Sequence, residues 1–429
     1  MPAFVVVGSQ WGDEAKGKIV DYLSDRVDCV LRFQGGNNAG HTVIIEGQKY
    51  VLHLVPSGIL RPEMSCIIGN GTVVDPAVLL DEMSMLESRG VAFEGRFFIA
   101  DTAHVIMQYH KMLDKAQELS RGKKKLGTTG TGIGPAYTDK AARSGIRMGD
   151  LIDTDKLSDK LGHCLETKNR LLEQLFGQNG LDYKETLATY AEYGTKLAPY
   201  VCDTVAKVNG LLDDGRKVLC EGAQGSLLDI DHGTYPFVTS SNTLAGNVCC
   251  GAGIAPSRVA RVIAVVKAYT TRVGAGPFPT EQSGEIGEYL HEKGHEFGAT
   301  TGRPRRCGWF DAVAVNRSLM LNGATSVALT KLDVLSGLDT LKICVRYRCN
   351  GSETGVFPAD PETLVNCEPL YEEMPGWHEE IAECRAYDEL PQNARNYIRR
   401  LEELTGVTAS IISVGPGRGE TLFQFDPLA

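Results

Sequence analysis

Seven residues near the start of the chain, Gly12-Asp13-Glu14-Ala15-Lys16-Gly17-Lys18, carry the G-x-x-x-x-G-K half of a phosphate-binding loop. Backbone N–H groups and the N-terminus of a following helix favour an anion there, and Lys16 and Lys18 add positive charge. Two features do not suit a phosphate cradle. Residue 19 is Ile, where a Ser or Thr would hold Mg2+, and two carboxylates, Asp13 and Glu14, stand where phosphate should lie.

Further clusters could serve the same chemistry. "GGNNAGHT" (35–42) crowds Asn37, Asn38, His41 and Thr42 into a glycine turn. His41 could act as a general acid, since imidazole titrates near neutrality, and could face Asp13 at a sheet edge, although a lone loop histidine is as readily a structural cap. Thr330-Lys331-Leu332-Asp333 follows a strand-like run and resembles the guanine-reading N-K-x-D motif. One carboxylate, Asp333, can accept from both guanine N1–H and the exocyclic amine, a donor pair that adenine lacks, while the stem of Lys331 covers the base face. "FGATTGRPRRCGW" (297–309) sets Thr300, Thr301, Arg303, Arg305 and Arg306 close together. Arginine forks bind carboxylate or phosphate bidentately, so this patch on an acidic chain suits a small anionic substrate. "CEGAQG" (220–225) ends a strand on an acid and Gln224, "TYPFVTSSNT" (234–243) adds hydroxyls, and Arg143 is another phosphate candidate. "HEKGH" (291–295) fits H-E-x-x-H, but Gly294 weakens a helix and no third ligand follows, so zinc is not expected. "RGKKK" (121–125) reads as the solvated face of a long loop.

The elements that must position these residues read as an α/β fold. Apolar runs alternate with helical patterns, which points to a large, mostly parallel central sheet flanked by helices. The glycine-rich segments 8–18, 35–42, 221–225, 331–337 and 413–419 all follow strands, at the carboxyl edge where such sheets bind ligands. "TVIIEGQKYVLHLV" reads as a hairpin about Glu46-Gly47, and "DPAVLLDEMSMLESRG" as a helix capped by Asp75 with Pro76 in its first turn. "RVIAVVKAYTTRVG" reads as a strand, and residues 120–149, rich in Gly, Thr and Lys, as one long functional loop. No linker or repeat divides residues 1–429, so a single domain is expected, with long loops at about 35–55, 120–131 and 299–306.

The bulk numbers exclude several classes. A formal net charge of −10 argues against nucleic acid as a partner. The twelve cysteines form no C-x-x-C pair, which suggests a reducing compartment rather than a disulfide framework. The first apolar run is too short for a signal segment, and no run approaches the ~18 residues that span a membrane. The expectation is a soluble, cytoplasmic protein.

Assembled, these segments resemble the adenylosuccinate synthetase family over essentially the whole chain, through "VVVGSQWGDEAKGK", "GGNNAGHT", "GTTGTGIGPAY", "EGAQGSLLDIDHGTYPFVTSSNT", "TRVGAGPFPTE", "EFGATTGRPRRCGW", "TKLDVLSG" and "IISVGPGRGETL". The resemblance implies a P-loop-NTPase-like sheet with small subdomains. It implies a ligase of purine biosynthesis that makes adenylosuccinate from IMP and L-aspartate, the first committed step from IMP to AMP. GTP is the co-substrate, with one Mg2+ per subunit of a homodimer. Asp13, His41 and Gln224 would be catalytic, with Asp13 the base at IMP N1 and His41 the acid at the phosphoryl group. IMP would meet Asp13, Lys16, Asn38, Thr129, Gln224, Thr239 and Arg303, and Arg143 from the neighbouring subunit. GTP would meet Gly12, Glu14, Ala15, Lys16, Gly17, Lys18, Gly40, His41, Thr42, Arg305, Lys331, Leu332, Asp333, Ser413, Val414 and Gly415. Aspartate would meet Val273, Ala299, Thr300, Thr301, Arg303 and Arg305, and Mg2+ would meet Asp13 and the Gly40 carbonyl. Two positions depart from the family pattern: Ala15 stands where the family has Gly, and Thr131 where it often has Arg. A GTP-binding switch and a GTP-dependent nucleotide kinase are the rival readings of the same motifs.

Overall fold

The run Phe4–Val7 alternates its side chains between two apolar layers, as a strand buried on both faces must. Phe4 and Val6 join a core with Leu23, Leu79, Leu86 and Leu161 on one face of the sheet. Ala3, Val5 and Val7 join Phe33, Val208 and Leu212 on the other. The computed structural model describes residues 2–45, 48–122, 125–298 and 302–429.

Among these residues the central sheet has ten strands. In chain order they are β1 (Ala3–Gly8), β2 (Cys29–Arg32), β3 (Ser65–Ile68), β4 (Phe97–Ala100), β5 (Val201–Cys202), β6 (Val218–Glu221), β7 (Val259–Lys267), β8 (Ser326–Thr330), β9 (Ala409–Ser413) and β10 (Thr421–Phe423). Their spatial order is β10-β9-β8-β7-β1-β6-β2-β3-β4-β5. Among the described residues, only β10 of this sheet runs antiparallel, paired with β9 at the edge. The chain winds outward from β1 through β2 to β5, returns to β6 beside β1, then winds the other way through β7 to β9. The direction therefore reverses around β1, and the carboxyl ends of β1, β2, β6, β7, β8 and β9 share one edge. That reversal opens a crevice for ligands. A smaller four-stranded sheet, which includes Thr340–Cys349 and Glu368–Pro375, lies apart from it in the pairing scheme.

The hairpin pairs His41 with Leu52 and Ile45 with Gln48, and its Glu46-Gly47 tip lies outside the described residues. The Asp75 side chain caps helix Pro76–Glu87 by accepting from Val78 N. Two expectations are corrected. Residues 120–149 are not one loop: Ile133–Ala142 is a helix, followed by the short helix Met148–Leu151. Gly132 turns in with φ 83°, and the Asp114 carboxylate accepts its N–H at 2.9 Å. "RVIAVVKAYTTRVG" is not one strand either. The chain leaves the central sheet after Lys267, and Thr270–Arg272 pairs antiparallel with Arg306–Gly308.

The cysteine expectation is corrected in part. Cys66, Cys220 and Cys344 are buried and free, but Cys349 and Cys367 are joined by a disulfide. They are 18 residues apart in sequence and meet because a strand end and the second residue after helix Pro361–Val365 pack together. A loop of that length implies about 3 kcal/mol of stabilisation. Cys349→Ser should therefore lower unfolding stability by about that amount in urea without reductant. Excess dithiol should abolish the difference between variant and parent, and identical parent and variant curves without reductant would exclude the bridge. No helix among the described residues is long and apolar enough to cross a membrane.

Candidate active site

The loop after β1 turns through three left-handed residues, Gly12 at φ 85°, Asp13 at 60° and Ala15 at 65°. This path sends its two acids in opposite directions. Glu14 is fully buried and folds back under the loop, where its carboxylate accepts from Gln10 N at 3.0 Å and Gly12 N at 2.9 Å. Lys16 Nζ donates to it at 2.7 Å. A Cβ at Gly8 or Gly225 would collide with that carboxylate, so both glycines make room for it. Glu14 thus holds the loop's shape, while Asp13, 30% exposed, faces the crevice.

Ala15 occupies a backbone state that favours glycine, as the family pattern has. The left-handed penalty for a non-glycine residue is about 1–2 kcal/mol. Ala15→Gly should therefore raise unfolding stability by about 0.5–1 kcal/mol, the left-handed relief less the glycine entropy cost. Denaturant titration of the two proteins checks this, and an unchanged or lowered midpoint would contradict it.

Asp13 is held by Arg305, whose Nε donates to it at 2.8 Å. The same guanidinium donates to Glu296 at 2.5 Å, and Glu296 accepts from Lys267 Nζ at 2.8 Å and from Tyr269. Burial would raise the Glu296 carboxyl, but Lys267, Arg305 and Lys331 hold it down to about 2. Lys267 and Glu296 are both fully buried. Sequence reasoning missed this chain, although a lysine ending the apolar run "RVIAVVK" was a visible signal. The arginine patch is also less available than its composition suggests. Arg306 grips Glu281 and donates to the carbonyls of Gly274 and Gly276, at 2.7–2.9 Å. Arg303 donates twice to the Gly127 carbonyl at 3.1 Å, linking the 302–306 segment to the loop with Thr129 and Thr131, whose hydroxyls bond each other at 2.7 Å. Val273 is half-buried nearby in sequence to Arg272, and Ala299, Thr300 and Thr301 lie outside the described residues.

His41 begins the hairpin and is buried beside the helix that follows the loop; a Cβ on Gly17 would sit 3.1 Å from its Cβ. Asp13 and His41 are each held by another partner, Asp13 by Arg305 and His41 Nδ1 by Glu221. Burial lowers the His41 pKa, and Glu221 opposes that. Gln224, at φ 56°, donates to Asn38 Oδ1 at 3.1 Å, and its Oε1 is buried without a partner. An unpaired buried acceptor of this kind is open to a donor from a ligand or a water. Thr239 N donates to Leu228 O at 2.8 Å, which fixes the 234–243 segment over the same edge. Arg143 is exposed at the end of helix Ile133–Ala142, with φ 63°.

A cavity of about 200 Å³ opens beside the loop, lined by Lys18, Thr42, Lys331, Asp333, Ser413 and Gly415 among others. Asp333 Oδ1 is buried there without a partner. Burial raises the Asp333 pKa, and Lys331 opposes the rise. Lys331 stands at φ 62° and donates to Gly294 O at 2.8 Å. Lys18 does not present a free ammonium to phosphate: Nζ donates to Ser413 Oγ and Gly415 O at 2.6 Å and to Glu420 O at 3.0 Å. Burial lowers its pKa to about 8. Leu332 and Val414 are fully buried, so only their backbones can meet a ligand. The H-E-x-x-H residues share no helix, because Glu285–Lys293 ends before His295, which stands at φ 47°.

A helix-opening loop with an outward carboxylate, next to a base-sized cavity holding an unpaired aspartate, defines a nucleotide-dependent group-transfer enzyme. The family model for adenylosuccinate synthetase matches residues 5–422. The chain is 56% identical to the adenylosuccinate synthetase of Moorella thermoacetica over 427 residues, 100% of each chain. It is 54% identical to that of Carboxydothermus hydrogenoformans over 422 residues, 98% of this chain and 99% of that one. The structure of fully ligated adenylosuccinate synthetase from Plasmodium falciparum matches it with a TM-score of 0.94 at 40% identity, covering 99% of this chain and 100% of that one. The chain belongs to the adenylosuccinate synthetase family. It is a C–N bond-forming ligase of purine biosynthesis whose substrates are IMP, aspartate and GTP.

Proposed function

We propose that the crevice at the carboxyl edge runs the ligation in two steps, with residue roles as follows. Asp13 takes the N1 proton of IMP as O6 attacks the γ-phosphorus of GTP; the O6–P bond forms, the bond to the β-phosphate oxygen breaks, and GDP leaves. The aspartate amine then attacks C6, the C6–N bond forms as the C6–O bond breaks, the amine sheds one proton, and phosphate departs carrying the former O6. His41 donates from Nε2 to the transferring phosphoryl group, where catalysis is mainly positioning and electrostatics. The outward turn of Asp13 at the reversal of the sheet supports this reading, because it leaves a part-exposed carboxylate at the carboxyl edge.

Asn38, Gln224, Thr129, Thr239 and Arg303 hold IMP, Lys331 and Asp333 read guanine, and Val273 with the 299–305 segment receives aspartate. Lys16 and the backbone of 12–18 receive the phosphates. Asp13 and the Gly40 carbonyl are hard oxygen donors suited to Mg2+, and the part-exposed Asp13 carboxylate is open to a ligand. When bound, Mg2+ neutralises charge on the phosphate oxygens. Arg143, exposed at a helix end, reaches the IMP of a second subunit in a homodimer. The chain acts as one domain in the cytoplasm.

The test uses IMP labelled with 18O at C6. Phosphate release requiring both IMP and aspartate, with the label recovered in phosphate, supports the two-step reading. Release without either substrate supports a GTP switch instead, and a stable phosphorylated nucleotide supports a kinase.

A further inference from the structure

Glu221 is the last residue of β6, in register with Val6 on one side and Arg32 on the other. It is a carboxylate with no exposed surface. Burying such a charge costs several kcal/mol unless donors surround it. Three donors converge on it: His41 Nδ1, Ser57 Oγ at 2.7 Å, and Ser57 N at 2.9 Å. His41 begins the hairpin and Ser57 opens the 3-10 turn that ends the excursion. The chain therefore leaves and returns to the same carboxylate. Arg32, the register neighbour, donates to Gly36 O at 3.3 Å and to His53 O, and so fastens the same excursion at two other points. Two neighbouring strands of the central sheet thus grip the segment that carries His41.

We infer that Glu221 is a positioning residue for the phosphoryl-transfer step: it fixes the ring orientation of His41 and keeps the proton on Nδ1, so that Nε2 is the nitrogen offered to the nucleotide. The inference rests on the proposed role of His41. The partner of one ring nitrogen sets the tautomer and aim of the other. Burial would raise the Glu221 carboxyl, but His41, Arg32 and Ser57 hold it down to about 2, so it is an acceptor throughout the working range. Nothing in the sequence motif "CEGAQG" distinguished Glu221 as the partner of a residue 180 positions away.

Glu221→Gln keeps the shape but sets an amide donor against three donors. It should lower kcat at least about tenfold, the range lost when an outer partner of a functional histidine is removed. The KM values for IMP and GTP should hold, because no substrate contact is lost. In 15N NMR of the full-length enzyme, the neutral His41 ring should carry its proton on Nδ1 in the parent and a mixture of tautomers in the variant. Ser57→Ala, which leaves the acid–histidine pair in place, should give a smaller loss in kcat. An unchanged kcat in Glu221→Gln, or an Nε2 proton in the parent enzyme, overturns the inference, and the second result needs no variant to fold. His41→Asn separates the two claims. If it is inactive while Glu221→Gln is fully active, only this inference fails; if it is fully active, the reading of His41 fails as well.

Discussion

Asp13→Asn is expected to abolish turnover while leaving the fold intact. The amide matches the carboxylate in size but cannot take the N1 proton of IMP, and it offers Mg2+ a weaker oxygen. Losing a positioned proton acceptor costs about 10²–10⁴-fold in rate. The loss should fall on kcat, since the interaction is made in the transition state. The stability cost should be about 1 kcal/mol or less, because the asparagine oxygen can still accept from Arg305 and Arg305 keeps Glu296 as its charge partner. The loop's shape does not depend on it: the N–H groups of Gln10 and Gly12 and the amine of Lys16 are bonded to Glu14. Steady-state kinetics with a thermal melt checks both halves. Near-normal kcat would remove Asp13 from the chemistry, and a collapsed melt would show a structural role instead.

That contrast between neighbours marks the limit of what the sequence made legible. The strands were readable because a parallel sheet covered on both faces needs continuous apolar runs, and "FVVV", "KVLCE", "SVALT" and "ASIIS" supply them. Their loops then had to share an edge, so the glycine-rich segments were placed together without knowing their contacts. Side-chain direction was not readable. Asp13 and Glu14 look alike in the sequence, and three left-handed backbone angles send one outward and the other inward. Helix Ile133–Ala142 was hidden because Gly132, Gly134 and Pro135 look like a loop until Pro135 is seen to fall in the first turn, where it is tolerated. The roles of Glu221, Lys267 and Glu296 were not readable because their meaning lies in partners far along the chain. Arg305 was visible as charge, but not as charge already shared between Asp13 and Glu296.

Asp333→Asn is expected to turn the nucleotide preference away from GTP and toward XTP. Guanine presents two donors on one edge, N1–H and the C2 amine, and a single carboxylate can accept both. Asp333 suits this because Oδ1 is buried without a partner, in a cavity floored by the loop that follows β8. An asparagine there keeps one acceptor and turns a donor toward the guanine amine. Each hydrogen bond to a charged group is worth about 1.5–3 kcal/mol, and a donor left facing a donor adds to the loss. The kcat/KM for GTP should therefore fall more than about 100-fold, at about 1.4 kcal/mol per factor of ten. Xanthine keeps N1–H but carries a carbonyl at C2, which matches the asparagine amide, so XTP should become the better donor. ATP should gain little, since the asparagine amide can meet adenine N1 with its N–H but finds no donor at C2 for its oxygen. The phosphate loop lies outside the change, and kcat at saturating XTP should approach that of the parent with GTP. A variant that still prefers GTP would mean that the base sits elsewhere, and equal losses for GTP and XTP would mean that Asp333 shapes the cavity without reading the base.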